Sequence, residues 1–179
     1  TVLAGPTAVG KGTVVAALTK RFPTLNVSIS ATTRDPRPGE LNGVHYYFVS
    51  TQEFDAMIER GDMLEWALVH GKNKYGTPRG PVDEALAAGK PVLLEIDLAG
   101  ARQVRTTRPD AQFIFLAPPS WEELERRLIG RGTESPEEQA RRLATARVEL
   151  EAAAEFDHVV INDDVERAVD ELARLIGLE

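Results

Sequence analysis

Residues 5–13 read Gly5-Pro6-Thr7-Ala8-Val9-Gly10-Lys11-Gly12-Thr13, directly after the short apolar run Thr1-Val2-Leu3-Ala4 and before a helical pattern of Val14, Val15, Leu18 and Phe22. A strand, a glycine turn and a helix in that order form the unit from which parallel α/β sheets are built. No other stretch constrains the fold as much. It also constrains the chemistry, because Gly5 and Gly10 let successive N–H groups curl toward one anion while the helix adds its positive end. Lys11 places a full charge where the β- and γ-phosphates of a nucleotide would lie. The position after Lys11, usually Ser or Thr, is Gly12, so a hydroxyl for a metal must come from Thr13 or from water. The competing reading is a plain glycine turn with a chance lysine; the flanking patterns weigh against it.

At 179 residues the chain is one domain with room for a sizeable core. No apolar run approaches the length of a membrane span, and no membrane partner is expected. No signal peptide is visible; the chain begins without Met and already inside a predicted strand, so a few residues are expected to precede Thr1. The lack of cysteine excludes disulfides and thiolate chemistry and fits a cytoplasmic enzyme. A formal charge of −7 argues against a nucleic-acid partner. An acidic protein that binds polyphosphates must gather its cations locally, so clustered arginines are the place to look.

Short apolar segments at 1–4, 92–96, 113–117 and 159–161 are each followed by a helical pattern. This alternation predicts a parallel sheet covered on both faces. Ser50 with Glu53, Ser120 with Glu123, and Ser135 with Pro136 and Glu138 read as capping boxes, and Gly61 and Gly89 as helix stops. Two stretches break the rhythm. Residues 29–75 carry shorter, alternating, aromatic-rich segments typical of a small antiparallel insertion, and residues 126–147 are dense in Arg and Glu, as a mobile flap between two helices would be.

Both interruptions carry chemistry. Arg34 and Arg37 flank Pro36, which stiffens the turn and holds two guanidinium forks for a phosphate monoester; Ser30, Tyr46 and Tyr75 can add hydroxyl donors. A solvated turn is the competing reading. Glu65 interrupts the apolar run 64–69 and needs a donor if buried. The N1–H and 2-amino group of guanine would match it, with Thr77, Glu95 and Asp97 as candidate neighbours, although alternation could equally put Glu65 on the solvated face. Asp97, at the end of a predicted strand, can hold Mg²⁺ through water beside the phosphate loop. In the flap, Arg131 sits between glycines, Arg127 on the preceding helix and Arg142 on the following one, as in a lid that delivers cations to a transferring phosphoryl group. A salt-bridged helix pair is the competing reading.

With these residues on the page the chain resembles the guanylate kinase family, over nearly all of its length. The resemblance rests on the segments 5–13, 30–40, 43–48, 64–67, 75–77, 95–100, 117–120, 129–135 and 160–163. It implies an α/β fold with a P-loop NTPase-type parallel sheet flanked by helices, a small mixed-sheet GMP-binding insertion and a helical lid. The implied division is a core of 1–28, 78–117 and 148–179, a GMP-binding region of 29–77 and a lid of 118–147. It further implies that Ser30, Arg34, Arg37, Tyr46 and Tyr75 hold the phosphate of GMP and that Glu65, Thr77 and Glu95 read the guanine. Residues Gly5, Pro6, Thr7, Ala8, Val9, Gly10, Lys11, Gly12 and Thr13 would hold ATP phosphates, with Arg127 and Asn162 also on the ATP side. Lys11, Arg131 and Arg142 would be catalytic, and Thr13 and Asp97 would serve the metal. The implied reaction is ATP + GMP to ADP + GDP with Mg²⁺, by a monomer or small homo-oligomer, with dGMP as a further substrate. Thr7-Ala8, Gly12 and Glu95 depart from the commoner Ser-Gly, Ser and Asp. Two rivals remain: a related P-loop kinase for another phosphorylated small molecule, and a non-catalytic protein-binding module of the same fold.

Overall fold

Alternation sends Leu3 to one side of the first strand and Val2 and Ala4 to the other, and all three are buried. A strand buried on both faces needs a neighbour along each edge and a helical layer on each side. The computed structural model, which describes residues 1–130 and 132–179, has both. In chain order the elements begin β1 (Val2–Ala4), α1 (Lys11–Arg21), β2 (Asn26–Val27), β3 (Ala31–Thr32), β4 (Tyr47–Phe48), α2 (Thr51–Glu59), β5 (Met63–Val69) and β6 (Asn73–Pro78). They continue α3 (Arg79–Ala87), β7 (Val92–Glu95), α4 (Leu98–Thr107), β8 (Phe113–Ala117), α5 (Trp121–Ile129) and α6 (Pro136–Glu151). A 3₁₀ turn (Ala152–Glu155), β9 (His158–Ile161) and α7 (Val165–Ile176) complete the chain.

The main sheet has the order β2-β7-β1-β8-β9, and its neighbours pair in parallel. On one face Leu3, Ile114, Leu116 and Val160 pack with Val14 and Leu18 of α1 and Leu172 of α7. On the other, Val2, Leu94 and Phe113 pack with Val82 of α3 and Val104 of α4. Each fully buried aliphatic side chain here is worth about 1.5–3 kcal/mol. Because β7 and β1 are neighbours, the loop leaving β1 and the acidic end of β7 meet at the carboxyl edge of the sheet, where ligands of such sheets bind.

Three local features differ from the sequence reading. β2 was not anticipated: it is two residues long, Asn26 is exposed, and its pairing rests on Asn26 N–H to the Pro91 carbonyl (2.9 Å) and Ser28 N–H to the Leu93 carbonyl (3.0 Å). The insertion sheet, β4-β3-β6-β5, is mixed, as the family resemblance implies, and not antiparallel throughout, as its alternating segments suggest, since β3 and β4 run parallel. The long connection between them permits this crossover. All three serines cap their helices, but only Ser135 with Glu138 forms the reciprocal box. Glu53 turns instead to Arg60 (3.2 Å), and Glu123 to Arg126 (3.2 Å) and Arg127 (3.4 Å). No helix among the described residues is long and apolar enough to cross a membrane.

Candidate active site

The loop between β1 and α1 turns through two left-handed positions, Ala8 (φ 69°) and Gly10 (φ 94°), which aims neighbouring N–H groups to one side. Ala8 bears a cost of about 1–2 kcal/mol for this. Gly10 could not be replaced even by alanine, because a Cβ there would lie 2.8 Å from Asn162 Nδ2. Asn162, buried at the end of β9, donates that amide to the Val9 carbonyl at 2.9 Å, and Arg127 donates to the same oxygen at 3.2 Å. Both residues therefore brace the loop from behind. Gly5, Pro6 and Val9 are buried within it, whereas Thr7, Ala8, Gly12 and Thr13 are exposed. Lys11 donates to the Ile96 carbonyl (3.1 Å); burial pushes its ammonium down from the usual lysine range while Glu95, Asp97 and Glu149 pull it back.

Arg34, Tyr46 and Tyr75 come together in the insertion. The Arg34 guanidinium carbon lies 5.0 Å from the centroid of the Tyr46 ring, and the two tyrosine rings meet edge-on at 6.0 Å. One edge of the guanidinium is already taken by Glu40, at 2.6 Å (Oε1) and 2.9 Å (Oε2). Glu40 Oε1 also accepts the Arg37 backbone N–H at 2.7 Å. The paired guanidinium holds the Glu40 carboxyl down to about 2, and Glu40 raises Arg34 above its ordinary range. The Arg37 side chain is exposed nearby.

β5 and β6 pair Glu65 with Thr77, and the Thr77 hydroxyl donates to Glu65 Oε1 at 2.8 Å. Extending the β3–β6 register by one residue sets Ser30 opposite Thr77, so the three side-chain positions form one row. Glu65 is thus on the inner side of its strand, not on the solvated face. Burial raises its carboxyl above the usual range; the Thr77 hydrogen bond opposes this and the charge of Asp97 adds to it. Glu95, which ends β7, and Asp97, just beyond it, fall differently from the expectation that Glu95 reads the base. Asp97 is the one beside Glu65, because Asp97 Oδ1 and Glu65 Oε2 each lie 3.1 Å from the point a Cβ would occupy on Gly100. Glu95 faces the phosphate loop, with Oε1 4.0 Å from the corresponding point on Gly12. Strand alternation alone would put residues 95 and 97 on one face; they part because β7 ends at Glu95 and Asp97 is already the N-cap of α4.

Across the loop, Ala8, Arg127, Gln139 and Arg142 line a cavity of about 340 Å³ between the loop and the paired helices α5 and α6. Arg142 is held by Glu134 at 2.9 Å. Arg131 lies outside the described residues.

The guanylate kinase family profile matches residues 1–179. The chain belongs to the guanylate kinase family. It is 61% identical over 177 residues to a guanylate kinase of Thermobifida fusca, covering 99% of this chain and 90% of that one. With a guanylate kinase of Cutibacterium acnes it shares 59% over 177 residues, covering 99% and 89%. A crystal structure of guanylate kinase from Anaplasma phagocytophilum superposes with a TM-score of 0.73 at 32% identity, over 99% of this chain and 83% of that one. Shikimate kinase from Bacteroides thetaiotaomicron shares the fold alone, with a TM-score of 0.51 at 15% identity over 98% and 96%.

Two further carboxylates, Glu40 and Glu149, meet the site without a signal in the linear sequence. Glu40 ends the 30–40 segment, and nothing in its spacing marks it as the partner of Arg34. Glu149, on α6, lies near the Thr7 backbone N–H, and its Oε1 is buried without a hydrogen-bond partner. Burial raises its carboxyl, and Lys11 opposes that. No group of three acidic or histidine residues among the described residues could hold a metal ion by itself. Near the loop stand Glu95 and the orphaned oxygen of Glu149, with Asp97 close to Lys11, and Thr13 is exposed in the first turn of α1. Such a set fits a hydrated cation carried in by a polyphosphate.

Proposed function

We propose that this chain transfers the γ-phosphoryl group of ATP to GMP, giving ADP and GDP, with Mg²⁺ as cofactor. The observation that carries the reading is that Glu65, bonded to Thr77, lies beside Asp97, and that Asp97 is in turn close to Lys11 of the phosphate loop. Glu65 accepts from N1–H and the 2-amino group of guanine, with Thr77 and Asp97, in place of Glu95, completing the edge; Ser30, in the same row as Thr77, stands nearer this edge than the phosphate role implied by the resemblance suggests. Arg34, Arg37, Tyr46 and Tyr75 hold the acceptor phosphate. Arg34 does so with the edge of its guanidinium that Glu40 leaves open.

The attacking atom is a phosphate oxygen already ionised at neutral pH, so no general base is required, and none of the three histidines has to enter the site. In-line positioning and cation density do the work. Lys11 stands at the β/γ-phosphates, Arg142 and Arg131 act from the lid, and residues 5–13 cradle ATP. Arg127 and Asn162 keep that cradle in shape. Mg²⁺, when bound, neutralises charge on the phosphates; Glu95, Thr13 and Asp97 would hold its water shell. The core, GMP-binding and lid regions divide as 1–28 with 78–117 and 148–179, 29–77, and 118–147. A cytoplasmic enzyme, monomeric or a small homo-oligomer, acting on small molecules and not on nucleic acid or membrane, fits this chemistry.

A coupled assay with ATP and a panel of nucleoside monophosphates tests the reading. GMP should be the preferred acceptor, dGMP should react, and AMP should fall on the order of 10⁴ lower in kcat/KM, the scale at which a site built on hydrogen bonds rejects a mismatched analogue. Preference for another monophosphate, or for a sugar bisphosphate, would overturn it. A protein-binding module would turn over none of them.

A further inference from the structure

β5 is the outer strand of the insertion sheet, so alternate N–H and C=O groups along it point away from β6 and need partners from elsewhere. Helix α4 provides them through side chains. Gln103 Oε1 accepts the Trp66 N–H at 2.9 Å, and Gln103 Nε2 donates to the Trp66 carbonyl at 2.9 Å. A primary amide offers one acceptor and one donor side by side, as a neighbouring strand would. One turn further on, the Thr107 hydroxyl donates to the Leu64 carbonyl at 2.7 Å. These bonds grip the strand at 64 and at 66, the residues immediately before and after Glu65.

The same helix face also determines how deep the Glu65 carboxylate can sit. Positions 100, 103 and 107 lie on one side of α4. At Gly100 the missing side chain leaves the space that Glu65 Oε2 approaches, 3.1 Å from where a Cβ would be. Asp97 begins the helix, capping it by accepting the Gly100 N–H at 2.7 Å. One rigid helix thus carries Asp97 at its start and clamps the strand of Glu65 farther along.

We propose that Gln103 and Thr107 are specificity-determining positioning residues: they touch no substrate, but hold the backbone of β5 so that Glu65 stays in register with the guanine edge. The proposal rests on the reading of Glu65 as the guanine acceptor. Geometry of this kind is sensitive, because a carboxylate displaced by about 1 Å no longer meets two donors at once.

The test compares Gln103→Leu, which keeps side-chain size without the amide, and Thr107→Val, which keeps shape without the hydroxyl, in steady-state assays with GMP, IMP and ATP. IMP retains N1–H and lacks the 2-amino group, so the GMP/IMP ratio of kcat/KM reads the two-point contact. This ratio does not depend on how much of the sample is folded. Gln103→Leu should lower it about tenfold and raise the KM for GMP, and Thr107→Val should lower it about threefold, while the KM for ATP stays within about twofold. Equal losses for GMP and IMP, or a parallel rise in the KM for ATP, would show that the clamp serves only general stability and would overturn the proposal. Glu65→Gln run alongside separates the two layers. If it leaves the GMP/IMP ratio unchanged, the reading of Glu65 fails; if it collapses the ratio while Gln103→Leu and Thr107→Val do not, only the clamp fails.

Discussion

If it accepts guanine as proposed, Glu65 serves binding at the expense of stability. Its carboxyl is raised by burial, and a carboxylate in that position is disfavoured until donors arrive. A raised folded-state value means that the contribution of Glu65 to stability is present below the unfolded value of 4.5 and is lost as the pH rises through the folded one. Replacing Glu65 with Gln should therefore raise the melting temperature relative to the parent at pH 7, with the advantage shrinking as the pH falls toward 4; scanning calorimetry across that range checks it. Binding should show the opposite sign. Guanine donors favour the ionised form, so GMP preference over AMP should weaken as the solution is acidified, and the ratio cancels the shared titration of the nucleotide phosphate. The Gln variant should lose on the order of 2–4 kcal/mol in kcat/KM for GMP and show a flat ratio with pH. Lys11 makes the complementary case, a cation kept by three carboxylates. Lys11→Met should lower kcat on the order of 10²–10⁴ with the fold intact, measured by turnover beside a thermal melt.

Among the elements, the pair α5 and α6 differs from the rest. It packs on a small cluster of its own, Leu124, Leu128 and Ala146, apart from the cores of the main sheet. Its stability therefore leans on local devices, above all the complete capping box of Ser135 and Glu138. Ser135→Ala should cost about 1 kcal/mol of helix stability. Hydrogen exchange should rise in the first turns of α6 while β1 and β8 stay protected. Fraying there would also loosen Arg142, so kcat should fall more than the KM for GMP rises; a change in KM alone would place Arg142 outside the transferring step. The insertion sheet has the reverse design. Its β3 and β4 have only two residues each and its outer strand β5 is tied to α4, so its precision is borrowed from the larger unit.

At the scale of the molecule, the parallel sheet and the two apolar layers carry the free energy, and the site is built on the loops at one edge. Leu172 of α7 is fully buried in the layer with Leu3 and Leu18, on the far element of the chain from the site. Leu172→Ala should cost about 2–5 kcal/mol in urea unfolding, with kcat at low temperature nearly unchanged. A matching loss of kcat would mean that the core and the site are coupled more tightly than this layering implies. The strand–loop–helix order at 1–22, the strands at 92, 113 and 159, and most helix starts were legible in the sequence because each depends on local periodicity or on a capping residue within a few positions. The phosphate loop was legible for the same reason, since its function resides in consecutive backbone N–H groups. Tertiary structure alone decided what required distant segments to meet. Asn162 and Arg127 converge on the Val9 carbonyl; Glu40 closes on Arg34; Asp97 meets Glu65 while Glu95 turns to the phosphate loop; Gln103 takes the place of a missing strand beside Trp66. Each of these contacts depends on angle and distance between elements, and a linear pattern carries residue order and chemistry but not the packing that sets those angles.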